Sequence, residues 1–476
     1  MAEDPLRVAQ DRRPNSGLDQ SSSEIAPSDA PSPAAELPLA TLLVVAALAA
    51  AVVGQGGYYR TAQRVVAVLL AAAAVLALRR AESSDAILRP IVAASATLAA
   101  WSVVSAALAG DVAPAASTVL ILAGGVIVVV TCVRLDDEQR DQLAVAVVAL
   151  GVLVALSGWA GVAWHRAPWA LKDQNLWRAA TTITYANAAA GFLAVVALLS
   201  VARSTRSSSS VLVSSASCLL LTGVGATLSR GGILSFLIGA LVLARLLGLS
   251  VVARAAAAPT AGALVALAGV WPSIPESAPA RPVVAVVALV LGLVVAAGVA
   301  RLGRRPLLVA AVAVTGALAL AVFVWEPARD ASRTIAEVRF SAASSDRAQE
   351  TRAALRVAAR QPLTGVGPGR ADLSWERADG AVLVARYAHN EYLQVLAELG
   401  VIGLGLLFAL FAVVARVVRR CRPSDALRPV WGGAVAGLVA LGVHGLFDFG
   451  WHLPAIALTG ALLVGIVTTS EREEQQ

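Results

Sequence analysis

Along its 476 residues the chain alternates long apolar runs with short polar breaks, and the runs set its architecture. A helix needs about 20 apolar residues to cross the hydrocarbon core of a bilayer. Runs near that length recur at about 38–54, 62–78, 88–109, 114–133, 142–163, 183–201, 211–228, 232–248, 255–271, 283–300, 307–325, 392–415, 429–447 and 453–469. The pattern predicts an all-α, polytopic integral membrane protein with about fourteen transmembrane helices (12–14). A transmembrane barrel would instead show alternating strands of about 10 residues. Two stretches break the rhythm. Residues 1–36 are rich in Ser, Pro, Asp and Glu without a periodic apolar face, which predicts a disordered cytoplasmic tail and not a signal peptide. Residues 326–391 form a long polar insert between eleven spans over 37–325 and three over 392–470, with a short tail at 471–476.

Composition agrees with the runs: 58% of residues are hydrophobic and 14% charged, against about 25% charged in soluble domains. The net charge of +7 does not point to nucleic acid, because its placement follows the bilayer. With the amino terminus inside, the inside segments carry 21 Arg and the short outside loops carry 7 Arg and Lys. Positive charge concentrates on the cytoplasmic side of membrane proteins. Both termini are therefore expected in the cytoplasm, and the insert on the extracytoplasmic face of the inner or plasma membrane. Cys132 and Cys218 sit in apolar runs and Cys421 in a basic loop, so no disulfide framework or metal-ligand spacing is present. No metal and no cofactor is expected. The chain shows neither a fixed-period repeat nor paired Gly/Pro-broken helices in matching halves, the sign of a transporter.

The insert carries the candidate chemistry. A helix is predicted over 345–360, capped by Ser344 or Ser345, with Asp346 and Glu350 in its first turns. Arg352, Arg356 and Arg360 recur every four residues and share a face, either solvated and snorkelling or clamping an anion. Gln361–Gly369 reads as a helix stop and tight turn, or as backbone shaped for close approach to a ligand. His389 and Asn390 lie at the mouth of the next span, where a helix dipole disfavours imidazolium and a neutral imidazole suits a general base; a capping histidine is the plainer reading. Glu391, Gln394 and Glu398 share a face of that span, and Glu398 lies about 10 Å deeper than Glu391, which makes it a functional candidate. Two outside turns complete the set: Ser229–Gly232, with Arg230, and His444–Pro454, with His444 and Asp448 four residues apart.

Taken together, the Ser229-Arg230-Gly231-Gly232 turn, Arg347 with its helix and the Pro362–Gly369 turn, the run Ala388-His389-Asn390-Glu391-Tyr392-Leu393-Gln394, and the His444–Pro454 segment resemble, in order, motifs of the O-antigen ligase and O-antigen polymerase superfamily. The resemblance covers roughly 180–469. Thr351 stands where that family often has Trp, and the family commonly has about twelve spans. The resemblance implies an inverting, metal-independent glycosyltransferase of surface polysaccharide biosynthesis, using a glycan linked to a polyprenyl diphosphate such as undecaprenyl diphosphate. Its acceptor would be a glycan, lipid or protein hydroxyl at the outer face. Arg230 and Arg347 would meet the diphosphate, supported by Arg352 or Arg356. His389 would be the base, oriented by Glu391 or Asn390, with Glu398, His444 and Asp448 in substrate binding. The other class is a transporter or flippase of lipid-linked glycans. The insert is expected to act as a lid over a cavity floored by helices.

Overall fold

The computed structural model describes residues 37–79, 87–206, 211–302, 325–340, 345–376, 380–421 and 423–468. Thirteen helices coincide with expected spans: α1 (Leu39–Val53), α2 (Arg60–Arg79), α3 (Leu88–Leu108), α4 (Ala115–Val133), α5 (Asp137–Trp164), α6 (Ala186–Arg203), α7 (Val211–Ala226), α8 (Arg230–Leu247), α9 (Leu249–Val270), α10 (Pro282–Leu302), α13 (Glu391–Arg420), α14 (Arg428–His444) and α15 (Pro454–Val467). Eight of them are long and apolar enough to cross a membrane by length and composition. The span expected at 307–325 falls, save its last residue, outside the described residues, as do both tails. The fold is that of a polytopic helical membrane protein.

α6 is the central post. Its sequence is apolar on every face, and 16 of its residues are buried among neighbouring helices. α2 and α13 are apolar but largely uncovered, as helices facing lipid are.

The insert is more structured than its polarity suggests. Glu326–Phe340 forms α11, which the sequence reading missed. Its Ala328, Ala331 and Ile335 fall at helical spacing and are buried. Trp271, in the turn after α9, donates to Ser332 on this helix at 3.1 Å. Ser345–Arg360 forms α12, as predicted. The expectation of an all-α protein needs one correction: two antiparallel hairpins are present, β1 (Ala170–Asp173) with β2 (Leu176–Ala179) and β3 (Leu373–Glu376) with β4 (Val382–Ala385). At four residues each, these strands are too short to print an alternating pattern.

The glycine-rich turn after α12 shows how the insert is held. α13 is interrupted at Gly400, whose φ of 68° and ψ of −172° leave the helix. The carbonyls just before the break lose their helical donors and must be satisfied elsewhere. Val366 N–H donates to Ala397 O at 3.0 Å, and Gly367 N–H to Glu398 O at 2.9 Å. Trp101 Nε1 on α3 donates to Leu399 O at 2.9 Å. The freed Val401 N–H donates to Pro362 O at 2.8 Å. A Cβ on Gly365 would lie 2.2 Å from Glu398 backbone, and one on Gly400 2.2 Å from Leu363 O, so both positions need glycine. The close approach read in this turn is to the chain's own helix.

At the opposite end of the bundle, buried Arg140 joins three elements. Its guanidinium donates to the carbonyls of Leu135, Val133, Gly465 and Thr468 at 2.8–2.9 Å, so it ties the ends of α4 and α15 to α5. Arg203 and Arg206 both reach Asp141 at this end.

Candidate functional site

A cavity of about 400 Å³ opens where five stretches of the chain meet. The β1–β2 hairpin contributes Asp173 and Arg178, the start of α6 Tyr185 and Asn187, and the α7–α8 turn Ser229 and Arg230. The insert adds Arg347, Glu350, Trp375 and His389, and the α14–α15 turn adds His444, Phe447 and Asp448. Residues far apart in sequence thus share one space.

His389 is fixed from several directions. Ala388 N–H donates to Gln394 Oε1 at 2.7 Å, which sets the backbone before the histidine. Asn390 caps α13, accepting from Leu393 N–H at 3.0 Å, and its amide donates to Leu446 O at 3.1 Å. Glu350 receives the His389 backbone N–H at 3.2 Å, and its two oxygens lie 2.8 and 2.9 Å from Nδ1. Glu350 is buried, with 6% of its side chain exposed, whereas 35% of the His389 side chain is exposed. The Phe449 ring meets the imidazole edge-on at 5.0 Å. The carboxylate that meets the imidazole is therefore that of Glu350, whereas Glu391 and Asn390 turn to other partners. Asn390 spends its side chain on capping. Buried Glu391 accepts from Trp451 N–H, while its own N–H donates to Gly445 O at 2.8 Å, so it docks α13 onto the α14–α15 turn.

The cationic side of the cavity holds Arg230, Arg347 and a residue the sequence reading counted only as an outside charge, Arg178. Buried Arg178 donates to Thr227 O at 2.9 Å, to Asp173 at 2.5 Å and to Asn187 Oδ1 at 2.7 Å. Ser229 caps α8 by accepting from Gly232 N–H at 3.2 Å, which makes Arg230 the first helical residue. The glycines that follow allow tight packing: a Cβ on Gly231 would lie 2.8 Å from Phe447, and one on Gly232 2.4 Å from Ala190. Arg347 is exposed on α12 and lines the cavity.

Asp448 accepts from the Tyr185 hydroxyl, which also receives Asn187 Nδ2 at 3.3 Å. Among the described residues no hydrogen bond joins His444 to Asp448, and His444 Nε2 and Asp448 Oδ2 each lack a partner. Beside the cavity runs an aromatic stack. Tyr387 lies on Phe449 at 5.1 Å and on His452 at 4.3 Å, and Tyr185 stacks on Phe449 at 5.3 Å. Burial, and then the Arg386 charge, pushes the His452 imidazole down to about 4; burial pushes the Tyr387 phenol up.

Of the residues singled out in the sequence, the cavity gathers Arg230, Arg347, His389, His444 and Asp448. It does not gather Arg352, Arg356, Asn390, Glu391 or Glu398. Arg352 and Arg356 lie on the exposed side of α12, and Arg356 donates to Ser374 O at 3.2 Å. Half-buried Glu398 accepts from Gln394 Nε2 at 2.6 Å and from Gly369 backbone, bracing the glycine turn. Sequence reasoning missed Glu350, Arg178, Tyr185 and Asn187 as cavity residues. Only Glu350 carried any signal, as an anion in the first turns of a helix.

Comparison with known families finds a match to the model described as O-antigen ligase over residues 283–408, about a quarter of the chain. Comparison with curated proteins finds no match. The matched segment runs from α10 through the insert into α13, and so contains Arg347, Glu350 and His389. The resemblance to O-antigen ligases read in the sequence is borne out over that segment.

Proposed function

Working from the chain's place in the O-antigen ligase superfamily, which the match over residues 283–408 supports, we propose that it transfers a glycan from a polyprenyl-diphosphate donor to an acceptor hydroxyl. The observation that carries this reading is the pairing of His389 with Glu350 in the cavity that also holds Arg178, Arg230 and Arg347.

The chemistry follows from that arrangement. Glu350 holds His389 Nδ1–H, which leaves Nε2 as the basic nitrogen. Nε2 takes the proton from the acceptor hydroxyl as its oxygen attacks the anomeric carbon. The carbon–oxygen bond to the diphosphate breaks on the opposite face, which inverts the configuration. Negative charge then grows on the departing diphosphate, where Arg230 and Arg347 offer planar guanidinium forks. Arg178 shares its charge with Asp173, so it fixes the cationic wall more than it adds free charge. None of these steps calls on a metal.

The extracytoplasmic face is the proposed location, with both termini in the cytoplasm. The charge asymmetry of the loops supports it, as does the meeting of the loops assigned outside around one cavity. A flippase would place polar groups through several spans; here the cavity's polar groups collect at one end of the bundle, which favours transfer. The deciding experiment gives purified full-length protein a lipid-diphosphate glycan and candidate acceptors. Release of lipid diphosphate with growth of the acceptor supports transfer; movement of the intact lipid-linked glycan across proteoliposomes without bond cleavage contradicts it. Repeat addition to a growing chain would mark a polymerase, and single addition to a lipid, protein or finished glycan a ligase.

A further inference from the structure

The cavity holds a second group of polar atoms used by neither the base nor the arginines. His444 Nε2, Asp448 Oδ2 and Trp375 Nε1 are buried and have no hydrogen-bond partner among the described residues, and all three side chains line the cavity. His444 is 4% exposed and Asp448 1%. Folded proteins leave few buried polar atoms unpaired, because each one lost its water without replacement. These are also held in place. Tyr185 donates to Asp448 Oδ1, and Asn187 links that hydroxyl to Arg178. The His444 ring packs against α6, where a Cβ on Gly191 would lie 3.0 Å from it.

Their chemistry narrows the ligand. A carboxylate oxygen accepts and repels phosphate. An indole N–H only donates. An imidazole nitrogen does either, according to tautomer. A partner for all three is neutral and carries several groups that both donate and accept, which describes the hydroxyls of a sugar ring. The rings of Trp375 and Phe447, also in the wall, offer flat apolar surface to its C–H faces. We propose that His444, Asp448 and Trp375 form a subsite that holds the donor's sugar ring by its hydroxyls, with Asp448 Oδ2 accepting from one of them. This deepens the glycan-transfer reading and rests on it.

The test uses purified full-length protein and, as probe, the oligosaccharide freed of lipid and diphosphate from the source cell's lipid-linked glycan. Saturation-transfer NMR reads its binding, and donor turnover is measured in parallel. Asp448→Asn keeps the shape and an oxygen for Tyr185, and Trp375→Phe keeps a ring without the N–H. Each should weaken oligosaccharide binding about tenfold or more and raise KM for the donor, with kcat nearly unchanged. Failure of the wild type to bind the oligosaccharide, or wild-type binding by both variants, overturns the subsite. If transfer proceeds with unchanged KM in Asp448→Asn, the subsite falls and glycan transfer stands. If binding is lost in the variant yet no acceptor is ever glycosylated, sugar binding by these residues stands, and the transfer reading falls together with the assignment of that sugar to a donor.

Discussion

Two histidine–carboxylate pairs line one cavity, and they are finished differently. In the first, Glu350 is buried and spends both oxygens on Nδ1 of a histidine that stays partly open. In the second, His444 and Asp448 are both buried, the carboxylate is held by a tyrosine, and one polar atom on each has no partner among the described residues. An imidazole that acts as a base needs one nitrogen fixed and the other accessible. A rigid buried pair with unmet hydrogen bonds suits recognition instead. Residue type alone, His with an acid nearby, does not separate the two proposed roles; the finish of each pair is what distinguishes them.

The largest effect expected from breaking the comparison is at His389. His389→Ala should lower kcat for glycan transfer by roughly 10²–10⁴-fold, the usual worth of general base catalysis, with membrane insertion unchanged. Glu350→Gln comes next. An amide at that position no longer dictates the imidazole tautomer, so kcat should fall by about 100-fold while donor binding persists, read by single-turnover assay.

How far these roles were legible in the sequence follows from the reach of each signal. Apolar runs announced every described span, because the bilayer imposes length and composition on each helix by itself. α12 was legible for the same local reason, and the cap of α13 was narrowed to His389 or Asn390. Glu350 was visible only as a first-turn acid, since its partner lies 39 residues away and meets it only when α12 packs on α13. Arg178 hid among loop charges, because its hairpin is too short to show a strand pattern. The turn at Gly365 read as a helix stop or as a close approach to a ligand; the partner it approaches is the kink at Gly400, set by the fold. His444 and Asp448 stand four residues apart in sequence, yet Asp448 turns to Tyr185, 263 residues away.

A smaller effect sharpens the contrast from outside the cavity. Arg140 is buried like Arg178, but backbone carbonyls satisfy it at the far end of the bundle. Arg140→Met leaves those carbonyls unpaired and should lower the thermal midpoint by several degrees, with KM for the donor unchanged. Arg178→Lys should instead raise KM, because an ammonium cannot hold Thr227 O, Asp173 and Asn187 together.

The smallest effect concerns a third histidine, in the aromatic stack. His452 is held down to about 4, against an ordinary value of 6.5. The unfolded chain therefore binds a proton at this site before the folded one does. Stability from this group is complete above pH 6.5 and is lost as pH falls towards 4. His452→Gln should flatten that part of the stability profile in thermal melts and leave the rest unchanged.

The central claim is that Glu350 and His389 act as one unit, and a double-variant cycle tests it most directly. Turnover of the lipid-linked glycan is compared among the wild type, Glu350→Gln, His389→Ala and the double variant, each checked for a normal melt. The expected result is a double variant no slower than His389→Ala alone, because the carboxylate acts only through the ring. Losses that multiply, or wild-type turnover in His389→Ala, would contradict it.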